Sequence, residues 1–447
     1  MNTLWGHDGC ETLIWGSKAS IPYYVAQSEW FVALCPTLPD ARDGSTLDQH
    51  TWATRGWCRC EKMVKEISSL QASQPGLILL VEGPKHLTLL PTWESFLTSP
   101  GHGHFTFPKD LKVVTELLQD MLQVKLGELL AAGDLPNYRF LLNQQHVRFR
   151  DCPIKLLSLG SDGCLEAFME ENRFNAVRDR DAAGWSPLCY AAIKGDPRVV
   201  EALLEKGARP DDCIRKGMAA AFMPSGLPAV SLCAYFGNNE AMQVLLGARA
   251  SPVQRDWRFG TPLFWANLSD NVEGTRMLLR AGADALAEGN PSYGIRLNPP
   301  WNVLENACAV GAVKVLEELM PAFKDRCHYG LHNAFLIKGG SPKLIKSMLR
   351  HGVDVDEQFD EKKTMWLLHC MLFAKHFLSS SALTRLFYHR PKATPLMMAI
   401  LSASFAAAEC LLQAGARVDL RNARKRTAFD FAIQKLRFIM FSVSLHL

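Results

Sequence analysis

The sequence predicts a mainly α-helical protein in which a solenoid of repeated helix pairs, residues 162–447, follows a small α/β domain at residues 1–108 and a helical connector at residues 109–161. Two observations support this fold class. Leu-Leu followed by Gly-Ala closes several segments, and apolar anchor positions recur 33 residues apart, as between Val230 and Leu263. A period of this length is typical of units that bury their apolar faces on each other. The first 108 residues lack the recurrence and contain six of the eleven Trp residues.

The α/β domain is predicted from two short apolar runs. Residues 30–34 (WFVAL) and 77–81 (LILLV) are flanked by turn-forming residues, which is typical of fully buried strands. A helix predicted at residues 55–70 lies between them, so the two strands should pair in parallel as a βαβ unit. Leu, Val and Met then recur at helical spacing through residues 109–132, which predicts the connector helix.

The segment SEWFVALCP, followed by TWATRGWCRCEKMVKEI, resembles the middle of a TIR-type domain. Trp57 and Glu61 match the Trp-x-x-x-Glu spacing of that family, and the resemblance implies that Glu61 is the carboxylate that cleaves NAD in catalytic members. Only 29 residues precede Trp30, so the first strand and the loop that closes over the nucleotide are expected to be absent or remodelled. The alternative is a helix that packs Trp57 and pairs or solvates Glu61, with Arg55 or Arg59 nearby. We favour this alternative and predict no enzymatic activity.

The repeated pattern is most complete in residues 181–211, DAAGWSPLCYAAIKGDPRVVEALLEKGARPD. Its SPL at residues 186–188 recurs as TPL at residues 261–263 and 394–396, and each copy ends in Leu-Leu and Gly-Ala. These residues resemble the ankyrin repeat, and the resemblance implies a helix pair used in protein–protein recognition. Ser or Thr before Pro should cap the first helix, and Gly after the second helix should take the left-handed conformation.

Weaker copies extend the array on both sides. They are anchored on Val230, Leu304 and Leu331, and a divergent copy is predicted at residues 366–388. With a leading half repeat at residues 162–179 and a last one that begins at residue 426, the array should contain about seven helix pairs. Residues 213–226 and 285–300 end in Pro- or Gly-rich turns and are interpreted as insertions.

Composition and missing motifs exclude several classes of function. The 49 Lys and Arg against 45 Asp and Glu leave a net charge of +4, too small a surplus for a nucleic-acid-binding or membrane-surface protein. No stretch approaches the roughly 18 uncharged apolar residues of a membrane span, so no membrane insertion is predicted. Neither a zinc-ligand spacing nor a phosphate-binding or hydrolase motif occurs, so no metal, cofactor or small-molecule substrate is predicted. The 13 scattered cysteines fit reduced thiols in the cytoplasm, with the nucleus as the alternative.

The predicted function is a non-enzymatic scaffold or adaptor that binds a protein partner through the concave face and fingers of the array. An NAD-hydrolysing TIR-type signalling enzyme with an ankyrin sensor region is the alternative. Aromatic and Arg residues on the fingers are typical interface anchors. The residues predicted to bind the partner are Trp185, Lys194, Trp257, Arg258, Ser269, Arg424 and Arg426. Two alternatives stay open: the Trp rings, including Trp301, pack on neighbouring fingers, and the basic cluster around Arg424 is a solvated face rather than a steering patch for an acidic partner.

Overall fold

The structure is a computed structural model that describes residues 23–36, 38–39, 46–71, 77–83, 86–90, 98–153, 164–218, 223–258, 260–286, 302–336, 340–360 and 382–434. The chain divides into two compact units. Unit 1 comprises residues 1–161 and 218–223, and unit 2 comprises residues 162–217 and 224–447. Most of the described residues lie in helices.

Unit 1 contains a small sheet built around the predicted strand pair. Its strands are β1 Trp30–Leu34, β2 Leu38–Pro39, β3 Thr46–Leu47, β4 Leu77–Gly83 and β5 His86–Leu90. β1 pairs with β4 in parallel and places Trp30 opposite Leu77, which confirms the predicted parallel pair. β5 adds an antiparallel strand on the other side of β4, and β2 pairs with β3 as a separate two-stranded ribbon.

Five helices complete the described part of unit 1: α1 Gln49–Thr54, α2 Gly56–Ser68, α3 Asp110–Ala131, α4 Leu135–Asn143 and α5 Gln145–Arg148. The predicted connector helix corresponds to α3, and it shares one apolar core with α2. Two polar contacts cross this core. The Nε1 of Trp57 donates to Asp110 at 2.8 Å, and the buried guanidinium of Arg148 pairs with Glu66 at 2.9 Å.

Unit 2 is a two-layer stack of helix pairs. Its helices are α6 Leu165–Glu171, α7 Pro187–Lys194, α8 Pro197–Glu205, α9 Ala229–Phe236, α10 Asn239–Gly247, α11 Pro262–Leu268, α12 Val272–Arg280, α13 Val303–Val310, α14 Val313–Phe323, α15 Gly330–Asn333, α16 Pro342–Arg350, α17 Ala382–His389, α18 Pro395–Leu401 and α19 Phe405–Gln413. The first helices of successive pairs, α7, α9, α11, α13, α15 and α18, pack side by side. The second helices, α8, α10, α12, α14, α16 and α19, form the other layer.

The ends of these helices follow the predicted chemistry at most positions. Thr261 and Thr394 cap α11 and α18, because each Oγ1 accepts a hydrogen bond from the backbone N–H three residues later. Ser186 makes no such bond, although Pro187 still begins α7. The chain leaves the second helices through glycines with positive φ, among them Gly207 and Gly282, as the left-handed exit requires.

The predicted divergent copy at residues 366–388 is wrong as a member of the stack. Most of that segment lies outside the described residues, but α15 packs directly on α18 and α16 directly on α19, so the flanking pairs are neighbours. Phe359 and Ala393 are joined by a backbone hydrogen bond of 3.0 Å, which shows that the chain leaves and re-enters the array at the same connection. A spacing close to two repeat periods therefore arose from an insertion and not from a seventh unit.

A buried polar contact joins the two pairs at this connection. The Nε2 of His332 donates to the carbonyl of Ala393 at 2.8 Å, which confirms that this histidine bridges to the backbone of the next pair. Beside it, the buried guanidinium of Arg390 lies 3.8 Å from the ring centroid of Phe359 and donates to Asn333. Burial lowers the pKa of His332 to about 3, so the ring is neutral in the folded protein.

This pKa predicts an acid-sensitive contribution to stability. In the unfolded chain His332 takes up a proton near pH 6.5, whereas the folded ring stays neutral down to about pH 3, so acidification favours the unfolded state. Below pH 6.5 the free energy of unfolding of the wild type should fall by about 1.4 kcal/mol per pH unit more steeply than that of His332→Gln. Urea unfolding of both proteins between neutral pH and pH 5 measures the difference, and parallel curves would contradict the assignment.

Candidate functional site

The connections between a second helix and the next first helix form turns on one side of unit 2, and we call these turns fingers. Three of them share one hydrogen-bonding scheme. The residue at the first finger position is Asp181, Asp256 or Asn422, and its Oδ1 accepts from the backbone N–H groups two and four residues later. These donors are Ala183 and Trp185, Arg258 and Gly260, and Arg424 and Arg426. The side chain therefore closes the turn and fixes where the following residues point.

The second carboxylate oxygen ties two of these turns to the helix layer. Oδ2 of Asp181 accepts from the hydroxyl of Tyr190 at 2.6 Å, and Oδ2 of Asp256 accepts from Nε1 of Trp265 at 2.9 Å. Burial raises the pKa of Asp256, while its hydrogen bonds act in the opposite direction. The recurrence of Asp or Asn at the first position was the sequence signal for this scheme, and sequence analysis did not use it.

Trp185 is not a surface residue, and its predicted orientation towards a ligand is wrong. The side chain is 0% exposed, and its Nε1 donates to the carbonyl of Lys216 at 2.8 Å. Its ring lies 5.3 Å from that of Tyr190, measured between centroids. The physical reason is its position, because the backbone of the fifth finger residue closes the turn on Asp181 and its side chain then faces the stack. Trp185 is thus a packing element, one of the two alternatives for these rings.

Trp257, by contrast, is exposed at the second position of its finger. The side chain is 78% exposed, and its backbone N–H donates to the carbonyl of Ser225 in the preceding finger at 3.0 Å. The indole lies against Gly226, where an added Cβ would come within 2.4 Å of the Cδ1 of Trp257. The neighbouring predicted residue Arg258 is also exposed. The structure thus presents a large ring in a fixed place without using it to hold the stack together.

The comparisons with known proteins agree with this geometry over the first full helix pair. Residues 183–215 match the family model of the ankyrin repeat. The chain contains an ankyrin repeat. The solved ankyrin repeat domain of human ASB11 is similar at 20% sequence identity and a TM-score of 0.40, with 55% of this chain and 91% of that chain covered. No curated protein matches the sequence.

Lys194 and Ser269 lie at the ends of first helices, and both are half-buried. Lys194, in the matched ankyrin repeat, pairs with Glu171 at 3.2 Å and lies above the ring of Phe168. The hydroxyl of Ser269 donates to the carbonyl of Ala234 in the preceding pair at 3.1 Å. The structure therefore shows these two predicted binding residues engaged in contacts within the stack.

Arg424 and Arg426 lie on the last described finger, where Arg421 and Lys425 are exposed beside them. The guanidinium of Arg424 lies 4.7 Å from the ring centroid of Tyr388, so its position is defined by a cation–π contact. Arg421 donates to the carbonyl of Lys425 at 2.8 Å and tightens the same turn. These four cations form a compact basic surface, and Trp301, the remaining tryptophan of interest, lies outside the described residues.

Glu61 lies in α2 of unit 1, away from any finger. Burial raises its pKa, and the charge of Arg55 opposes this shift. Trp57 packs against the core of unit 1. Among the described residues, no group of His, Cys, Asp and Glu is arranged to hold a metal ion, and no helix is both long and apolar enough to cross a membrane.

The two tryptophans should behave in opposite ways when truncated. Trp185→Ala leaves a large cavity and an unpaired carbonyl, so the free energy of unfolding should fall by about 3–5 kcal/mol. Trp257→Ala removes an exposed ring and should change it by less than about 0.5 kcal/mol. Urea unfolding followed by circular dichroism measures both values. Equal losses in the two variants would show that Trp257 also holds the stack together.

Proposed function

We propose that residues 162–447 are an array of ankyrin-type repeats and that the chain is a non-enzymatic scaffold or adaptor for a protein partner. The observation that carries the proposal is Trp257, a large ring that is exposed, fixed by the neighbouring finger and dispensable for packing. Rigid exposed aromatics with arginine neighbours are the residues that dominate the energy of protein interfaces. Because the ring is already held in place, a partner would lose little conformational entropy by binding to it.

The extension from one ankyrin repeat to an array rests on the repeated geometry. The fingers at Asp256 and Asn422 use the hydrogen bonds of the finger at Asp181, and the first and second helices continue in two layers. Arrays of this kind present their fingers as one extended surface, so several fingers can contact a single partner. The cluster around Arg424 is a second part of that surface. We place the protein in the cytoplasm or the nucleus, on the strength of its cysteine content.

The fingers should be required for partner capture. We expect that full-length wild-type protein enriches a partner from cell extract and that Trp257→Ala loses it, because truncation of an interface anchor weakens binding by about 1–3 kcal/mol. Phe405→Ala is the matched control, since it removes an exposed aromatic from α19 on the second-helix layer. Quantitative mass spectrometry compares the three baits. The proposal fails when every captured protein is recovered equally with wild type, Trp257→Ala and Phe405→Ala.

The second candidate function is NAD hydrolysis by unit 1. It is favoured by the resemblance around Glu61 and by the raised pKa of this carboxyl group, since shifted carboxyl groups are frequent in active sites. The non-enzymatic interpretation is supported by the packing of Trp57, whose Nε1 is used on Asp110 within the core. The helix that carries Glu61 therefore has a structural role of its own.

We expect that purified full-length protein releases nicotinamide from NAD no faster than its Glu61→Ala variant. The reason is that burial beside the core of unit 1 accounts for the shifted carboxyl group without a substrate. Chromatographic detection of nicotinamide measures the rates, and melting curves show whether both proteins are folded. Turnover by the wild type that disappears in a folded Glu61→Ala protein would replace the scaffold proposal with the enzymatic one.

A further inference from the structure

Two neighbouring fingers place a long side chain across a glycine of the finger before them. Trp257 lies on Gly226, and Arg215 lies on Gly184, where an added Cβ would come within 2.6 Å of the Cβ of Arg215. Both glycines have positive φ, 77° at Gly226 and 76° at Gly184. The absence of a side chain at these two positions therefore leaves the space in which the next finger lays its own side chain flat.

Four exposed cations surround the indole on these fingers: Arg215, Lys216, Arg255 and Arg258. The Nζ of Lys216 donates to the carbonyl of Ala182 at 3.0 Å, which fixes this side chain along the first finger. Neither Arg215 nor Arg255 forms an ion pair in the part of the chain that the structure describes. The outward surface of these fingers is therefore basic, although the whole chain carries a net charge of only +4.

The carboxylates of the same fingers are used inside the turns. Asp181 and Asp256 accept backbone and aromatic hydrogen bonds, and Asp256 is only 4% exposed. Asp212 is paired with Arg180. A ligand that approaches the three fingers thus meets guanidinium and ammonium donors, whereas the carboxylate oxygens are already occupied.

We propose that the fingers around Trp257 bind an acidic, extended segment of a partner protein that packs one apolar side chain on the indole. This inference rests on the proposed function and names the chemistry of the partner. Carboxylates of the segment would pair with Arg215, Arg255 and Arg258 on either side of the ring, where charge-assisted hydrogen bonds fix its register. Single-stranded nucleic acid is the other polyanion with flat groups, but such sites stack successive bases on several aromatic rings. The described residues of these fingers present one such ring.

Selection from a phage-displayed library of random peptides tests this inference on the full-length protein. Peptides recovered on the wild type should be rich in Asp and Glu and should contain an apolar residue. A recovered peptide should bind Trp257→Ala about tenfold or more weakly. The paired variant R215S/R255S should weaken binding and reduce its dependence on salt, because the lost contacts are ionic. The matched control R421S/R424S removes the same charge from the last finger and should leave the affinity unchanged.

The outcomes separate this inference from the proposed function. Recovery of neutral or basic peptides that still require Trp257 would overturn the acidic chemistry and leave protein recognition standing. Equal weakening by R215S/R255S and R421S/R424S would show unspecific attraction and overturn the site. Tighter binding of an oligothymidine to the wild type than of any recovered peptide, again dependent on Trp257, would replace the peptide with nucleic acid. Melting curves of all variants must match the wild type, and recovery of no peptide that depends on Trp257 would overturn both proposals.

Discussion

The array depends on each helix pair covering the apolar surface of its neighbour. α9 shows the constraint most clearly, because all 8 of its residues are buried while α7 and α11 pack on either side. Burial of this kind supplies the free energy that a single pair cannot provide for itself. A first helix such as α9 has no side chain to offer a ligand. Recognition therefore falls to the fingers, whose outward side chains are free of the packing constraint.

Buried polar side chains set the register in which the pairs stack. Asn238 donates to the carbonyls of Ala192 and Ile193 at 2.8 Å, and Asn271 donates to that of Ala234 at 3.0 Å. Each of these amides reaches back to the end of the preceding first helix, whereas His332 reaches forward across the insertion. A buried donor without a partner is costly, so a sliding pair would lose these bonds together. Apolar contacts hold the pairs together, and the amides allow one alignment.

The sequence predicted the elements whose signals are local. Thr before Pro marked the starts of α11 and α18, and two apolar runs marked the parallel strands β1 and β4. It failed where the outcome depends on contacts far along the chain. Trp185 was assigned to the surface because its neighbours are turn residues, but its orientation is decided by Asp181 and by the carbonyl of Lys216, 31 residues away. Likewise, spacing cannot distinguish an inserted segment from a further repeat, whereas the direct packing of α16 on α19 does.

The chemistry of the turns also shapes what a finger can recognise. A turn that needs an acceptor at its first position takes an Asp or Asn from the sequence and uses its oxygens internally, as Asp256 does with two backbone donors and Trp265. In the last finger the acceptor is the uncharged Asn422, and the exposed residues beside it are basic. Counting charges along a finger therefore underestimates how one-sided its contacts are. Acceptors on a partner meet available guanidinium groups, while donors on a partner meet carboxylates whose lone pairs are already engaged.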